Sequence, residues 1–449
     1  MKVLLVSANQ YTQPYPVYPL GLDYVADAIA ARHSVEIIDL NLLADSEAFY
    51  NAIEQFSPDV IGLSIRNIDN TDVADPKGFL HIYRELARAV RNRSSARLIL
   101  GGSGFTLFPL EIMKALDADY GIIGEGERLP RLLDTLEANE DPTGLPGIVT
   151  LHGGVTIPAP WQHKITRRFK TDQAHLRFYL KKGGMLNLQT KRGCRHRCIY
   201  CTYPHIEGRN QRLFDPDEIA RTALRLQAAG AKYFFVTDST FNTDTDHNLA
   251  VANAFKRARI TVPWGAFFAP MTPPVDYFNT LADAGLTHVE FGTESLSDPV
   301  LSTYRKPFRS RHVFQAHRAA LDAGLHVAHY FLLGGPGENP ETMDETLAQA
   351  ERLKKCVLFF FCGMRIYPYT ELYDIARREG RLAEAGSLVA PVFYRSAAID
   401  GKVRVQRVKN WADGHPNRII GAGGDKMANI ISRMYERGYS GPLWEYLIR

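Results

Sequence analysis

The sequence predicts an α/β protein built on two parallel sheets: a doubly wound open sheet, then a partial barrel of six β/α units, then a helical element. Three observations predict it. Short continuous apolar runs recur along the chain, amphipathic stretches of helical period separate them, and Gly or small polar residues stand where the runs end.

The elements follow in order. Residues 2–7 read as a strand, 20–31 as a helix, 35–40 and 60–65 as strands, and 79–90 as a helix. The run 96–100 enters Gly101-Gly102-Ser103-Gly104, and a further helix leads to the strand 120–124. This Rossmann-like domain is expected over 1–141. Its ligands belong beyond the strands' carboxyl ends, at residues 7–9, 64–70, 101–106 and 124–127.

From 142 to 184 the pattern loosens into a linker, with a basic run at 164–170 and a small hairpin over 147–157 turning at Gly153-Gly154. A second series then begins, with strands at 185–189, 233–238, 262–269, 288–292, 326–333 and 357–364. Spaced by helices, they predict a partial (β/α)6 barrel of TIM type over 185–399, with its active site at the strand C-termini. Residues 400–449 form the C-terminal element, with a helix at 424–437.

Composition excludes several classes. The 449 residues are 45% hydrophobic and 23% charged, which is globular rather than disordered. With 53 Lys and Arg against 49 Asp and Glu the net charge is +4, so no basic field argues for nucleic acid. No run approaches the roughly 20 apolar residues of a membrane span. The opening MKVLLVSANQ breaks at Ser7, Asn9 and Gln10, as a buried strand does and a secretory signal does not, so a cytoplasmic protein is expected.

Five cysteines are too few, and odd, for a disulfide scaffold. Three of them, Cys194, Cys198 and Cys201, fall in one loop after the first barrel strand, while Cys356 and Cys362 lie apart and read as packing residues. Thiolates at spacings of four and three suit one iron–sulfur cluster, and three ligands leave one iron of four open to a cofactor. Arg192, Arg195, His196 and Arg197 are expected to favour the thiolate forms. The structural alternative is a zinc knuckle completed by His196 or His205; zinc sites more often come as two Cys pairs or Cys/His pairs, and this loop has neither.

CxxxCxxC with Tyr200 before the last cysteine, at the end of a barrel's first strand, resembles the radical SAM superfamily. The resemblance implies a four-iron four-sulfur cluster on Cys194, Cys198 and Cys201, with S-adenosylmethionine (SAM) chelating the fourth iron. It implies SAM contacts from Tyr200, from Asp238 and Thr240 after the second strand, from Glu294 and Ser295 after the fourth, and from Gly335 in the Gly-rich turn after the fifth. An external electron donor of flavodoxin or ferredoxin type is implied too.

A doubly wound domain ahead of such a barrel is similar to the cobalamin-binding subgroup, many of whose members are methyltransferases. That resemblance implies corrinoid contacts from Asn9, Ser64, Arg66, Asn67, Gly101, Gly102, Gly124 and Glu125. The departure is the missing Asp-x-His-x-x-Gly motif: the loop after the first strand holds no histidine. Arg66 is the suggestive residue there, because a guanidinium has no lone pair to give to cobalt; its alternative is pairing with Asp69 or Asp72.

The expected function is therefore cobalamin-dependent methylation of a small biosynthetic intermediate. Tyr203, Tyr330 and Tyr367 are candidates for bounding the substrate pocket, and no catalytic residue is assigned. Two other readings stand beside it: radical SAM chemistry without cobalamin (rearrangement, ring closure or 3-amino-3-carboxypropyl transfer), and a corrinoid- or zinc-binding module without turnover.

Overall fold

The computed structural model describes residues 1–43, 45–167, 169–171, 174–383 and 386–448. Strands β1 (Lys2–Ser7), β2 (Ser34–Asp39), β3 (Val60–Ser64), β4 (Arg97–Gly101), β5 (Tyr120–Ile122) and β6 (Ile148–Val149) form one sheet in the order β2-β1-β3-β4-β5-β6. The first five run parallel and bury apolar side chains on both faces, which is why they read as continuous runs rather than alternating ones. Connections leave β1 in opposite directions, so the crevice of this sheet opens between the ends of β1 and β3.

The linker differs from expectation. β6 pairs antiparallel with β5 and extends the first sheet, while the expected hairpin reduces to a single bridge between Thr150 and Gly154. Two residues of backbone pairing on an existing sheet edge outcompete a free two-stranded hairpin, which is marginal in water.

The second sheet contains β7 (Met185–Leu188), β10 (Tyr233–Val236), β11 (Trp264–Phe268), β12 (Leu286–Glu294), β13 (His326–Leu333) and β14 (Cys356–Cys362). Between β7 and β10 a short antiparallel ladder, β8 (Lys191–Arg192) on β9 (Arg212–Leu213), ties off the cysteine loop. A second ladder joins β15 (Met364–Arg365) to β16 (Phe393–Tyr394). The six expected barrel strands are parallel neighbours, and a seventh, β17 (Arg418–Ile420), adds to β14.

That seventh strand gives the C-terminal element a role. β7 and β17 are the two sheet edges, and Tyr15, from the loop after β1, packs in the gap against Met185 and Phe235 on one side and Ile431, Tyr435 and Leu443 on the other. Trp444 closes the barrel floor, its Nε1 donating to Glu290 Oε1 at 3.0 Å. Arg404, fully buried on the helix Gly401–Ala412, bonds Glu338 Oε1 at 3.1 Å, and Glu338 in turn accepts from Gly334 N at 2.8 Å. The C-terminal element thus pins the Gly-rich turn that follows β13.

Glu290 is buried with two neutral donors and no cation. Burial pushes its carboxyl up from 4.5 to about 7. A raised carboxyl contributes stability that is intact below its unfolded pKa and is lost as pH rises through about 7, up to about 3 kcal/mol for such a shift. Glu290→Gln keeps an acceptor for Trp444 and removes the ionisation. Its melting temperature is expected to exceed that of the parent at pH 8 and to match it near pH 5; an equal difference at both pH values would contradict this account.

Candidate cluster and cofactor site

β7 ends at Leu188, and the chain enters the cysteine loop through Thr190, Lys191 and Arg192. Asp238, at the end of β10, fixes that entrance: its carboxylate accepts from Thr190 N (2.8 Å) and Thr190 Oγ1 (2.5 Å) and pairs with Lys191 Nζ at 3.3 Å. Lys191 Nζ also donates to Phe241 O. Both partners are buried. Asp238, expected to contact SAM, instead has its carboxylate engaged in holding the loop.

Gly193 takes φ +86°, where a Cβ would run into the backbone of Asn210. Gly193→Ala is expected to cost about 1–2 kcal/mol and to lower iron retention after reconstitution, read by a thermal melt and an iron assay. Full iron retention with an unchanged melt would refute the requirement. Cys194 N then donates to Gly208 O, and Cys201 N to Cys198 O.

All three cysteines are free, Cys194 buried and the other two half-buried. Burial, then the Cys198 sulfur, pushes the Cys201 thiol up to about 12. Among the described residues, ligand trios within 4.8 Å of one another lie elsewhere, at His317, His329 and Cys356 and at His33, Asp134 and Glu137.

The expected basic surroundings are rearranged. Arg192 is buried against Glu125 (2.9 Å) and Glu127 (2.8 Å), and Arg195 and Arg197 are exposed. Burial holds His196 down at about 4, so it is neutral. The cation beside the sulfurs is Lys306, which the sequence reading missed. Burial opposes its charge, but Cys198 and Glu294 outweigh that and raise its pKa. Nothing in local spacing marks it; it reaches the site only through the fold.

Lys306 Nζ, Tyr200 OH and Glu294 Oε1 form a closed trio, at 3.2 Å from the lysine to each partner and 2.6 Å between phenol and carboxylate. Glu294 sits at φ +62°, where the register of β12 on β13 slips. A non-Gly residue held there by its surroundings is strain of the kind that functional sites store. Tyr200 and Glu294, both expected SAM contacts, are thus brought together beside the cysteines.

Other expected SAM residues are placed differently. Ser295 is buried, with Oγ 2.9 Å from Thr346 Oγ1. Gly335 donates its N–H to Tyr304 OH at 3.1 Å, and a Cβ there would meet that ring, so its smallness serves packing. Thr240 stays half-buried at the end of β10, its hydroxyl donating only to Ser239 O at 2.7 Å.

Across from the cysteines lie the ends of the first sheet. Ser64 stands in register with Ser7 and Gly101, so β1, β3 and β4 end level. Asn9 Oδ1 is buried without a hydrogen-bond partner, although its Nδ2 donates to Tyr11 O at 3.3 Å. Arg66 Nε donates to Asn67 Oδ1 at 2.8 Å, and burial lowers its pKa. Asp69, once its candidate partner, pairs with Arg365 instead at 2.9 Å. An orphaned acceptor and a guanidinium with no carboxylate partner among the described residues fit a large polar ligand laid on these strand ends.

Two expected contacts have internal explanations. Gly102, at φ +101°, lies against the Ile65 backbone, where a Cβ would clash. Glu125 accepts from Arg192, Arg212 and Trp161 N, clamping first sheet to second. A Cβ at Gly101 would be in ordinary contact with Ile122 O at 3.9 Å, and Gly124 N donates to Thr106 Oγ1 at 2.9 Å beside a small pocket shared with residues 204–208.

Comparison with known proteins bears directly on this pairing of sites. Residues 188–350 match the model of the radical SAM superfamily, and residues 10–133 match the B12 binding domain. The chain carries a radical SAM domain and a B12-binding domain.

Relatives and solved structures cover both matched regions. The chain is 23% identical to tryptophan 2-C-methyltransferase of Streptomyces laurentii, over 82% of this chain and 73% of the relative. It is 24% identical to cytidylyl-2-hydroxyethylphosphonate methyltransferase of Streptomyces wedmorensis, over 90% and 86%. Among solved structures, the radical SAM methyltransferase TsrM of Kitasatospora setae, with cobalamin and a [4Fe-4S] cluster bound, superposes with a TM-score of 0.87 at 21% identity, covering 99% of this chain and 97% of that one. The cobalamin-dependent radical SAM enzyme OxsB gives 0.75 at 17% identity, covering 92% and 66%. Among the described residues, no helix is long and apolar enough to cross a membrane.

Proposed function

We propose that the chain is a cobalamin-dependent radical SAM methyltransferase acting on a small molecule. One observation carries it: three free cysteines on a buried-anchored loop stand opposite strand ends where Asn9 Oδ1 is buried without a partner and Arg66 has only Asn67 as its hydrogen-bond partner among the described residues. The names of the two methyltransferases above support the reaction class. When bound, the cluster supplies the electron that breaks a SAM carbon–sulfur bond, and the corrinoid supplies the methyl group.

Cys194, Cys198 and Cys201 hold the cluster. Tyr200 and Glu294, locked by Lys306, orient SAM together with Thr240. Arg66, with Asn9, Ser64, Asn67, Gly101, Gly102 and Gly124, would hold the corrinoid, and its guanidinium would have no lone pair to give to cobalt. Asp238, Ser295, Gly335 and Glu125 hold this framework rather than the ligands. A cytoplasmic setting and a flavodoxin- or ferredoxin-type donor complete the reading.

The test is anaerobic reconstitution with iron, sulfide and hydroxocobalamin, followed by analysis of SAM products. S-adenosylhomocysteine together with 5′-deoxyadenosine is the expected pair. Methylthioadenosine would move the assignment to aminocarboxypropyl transfer. Absence of a cobalamin spectrum on the purified protein, unaltered by Arg66→Ala, would remove the corrinoid from the reading.

A further inference from the structure

The barrel lumen carries information that the cofactor sites do not use. Strand alternation divides each strand into a side facing the helices and a side facing inward. The helix side is the main apolar core, which takes Phe234 and Val236, Val289 and Phe291, Leu358 and Phe360. Inward therefore face Phe235 of β10, Phe267 of β11, Glu290 of β12, Tyr330 of β13, and Phe359 and Phe361 of β14.

These rings meet one another around the lumen. Phe235 and Phe267 are edge-on at 5.2 Å, Phe267 and Tyr330 at 6.0 Å, and Tyr330 stacks on Phe359 at 4.8 Å with only 8° between planes. Yet Phe267 is 38% exposed on a central strand, and Tyr330, Phe359 and Phe361 are only half-buried. Rings exposed inside a barrel that Trp444 closes below and Tyr15 closes at the side border an open space.

The polar groups of that space are few. No Lys or Arg occupies an inward position on the seven strands. Lys306, at the rim, is paired with Glu294. The Tyr330 hydroxyl, on the ring packed edge-on to Phe267, donates to Glu290 Oε2 at 2.9 Å. With Glu290 ionised, above about pH 7, that proton is committed and the oxygen offers lone pairs alone, so it accepts from a ligand and does not donate to one. A space walled by aromatic faces, with the Tyr330 oxygen as an acceptor and no Lys or Arg turned inward on its strands, selects against phosphate and carboxylate groups at this depth and for a planar ring.

We propose that the substrate is a flat aromatic ring bearing an N–H or O–H donor, seated against Phe267 and Tyr330 with its donor on the Tyr330 oxygen. The proposal rests on the methyltransferase reading of this site and names its substrate class. Tyr330 is the specificity-determining contact, and Glu290 is a positioning residue that acts through it.

The experiment titrates full-length, anaerobically reconstituted protein at about pH 8, where Glu290 is ionised, with indole, 1-methylindole and cytidine monophosphate by calorimetry, in the parent and in Tyr330→Phe and Phe267→Ala. Indole is expected to bind, and Tyr330→Phe to weaken it about fivefold to tenfold while leaving 1-methylindole unchanged, since that ring has no N–H to lose. Phe267→Ala is expected to weaken both rings. Circular dichroism on each variant establishes that it is folded.

Preferential binding of cytidine monophosphate, no binding of either ring, or equal effects of Tyr330→Phe on both rings would each overturn the proposal. SAM cleavage and cobalamin spectra, measured on the same preparations, separate this failure from failure of the reaction class. A protein that makes S-adenosylhomocysteine and 5′-deoxyadenosine but ignores the rings is a methyltransferase of another substrate class.

Discussion

Replacing any one of Cys194, Cys198 and Cys201 by alanine is expected to reduce bound iron to background after reconstitution and to lower SAM cleavage by on the order of 10³-fold or more. The size of the effect follows from what the residues do together. Three protein ligands leave no redundancy, and His205, the imidazole that follows the loop, is engaged in stacking on Tyr369 at 3.9 Å. Cys356→Ala and Cys362→Ala are the controls. Both thiols are pushed up to about 12 by burial, which keeps them protonated, and Cys356 donates to Leu353 O at 3.4 Å. Iron content per chain and the visible absorbance of the cluster are the readouts. Retention of the parental iron content in Cys198→Ala would remove the loop from the cluster assignment.

What the sequence made legible is what local pattern encodes. β1 and β13 are found at the expected residues, because an apolar run bounded by polar or Gly residues specifies a buried parallel strand without help from elsewhere. The cysteine loop was legible for the same reason, since its ligands are close in sequence. Long-range placement was not. β17 is a strand of three residues that exists by pairing with β14, and Arg404 is a buried cation whose partner lies 66 positions away.

The same limit explains the site. Asp238, Ser295 and Gly335 stand at the strand ends where ligand contacts are expected, but each is satisfied by a neighbour that the sequence does not bring near: Lys191, Thr346 and Tyr304. Conversely, Arg66 was recognised by its residue type, and its lack of an acidic partner became apparent only once Asp69 was seen bound to Arg365. Motif position identifies a strand end; the fold decides whether the side chain there faces a ligand or the protein.

Asp238→Ala is expected to show that the cysteine loop depends on a buried charge pair. Lys191 and Asp238 are almost completely enclosed, so removing the carboxylate leaves an ammonium with Phe241 O as its remaining bond and strips the Thr190 amide of its acceptor. Breaking one side of a buried pair costs about 3–5 kcal/mol, whereas replacing both sides by apolar groups costs much less. Lys191→Met combined with Asp238→Leu should therefore melt above Asp238→Ala, yet below the parent, because Thr190 N remains unpaired in both variants. Thermal melts of the cluster-free protein measure the stability term, and iron retention measures what reaches the loop. A double variant no more stable than Asp238→Ala would mean that the backbone hydrogen bonds to Asp238, and not the ion pair, set the entrance to the cysteine loop.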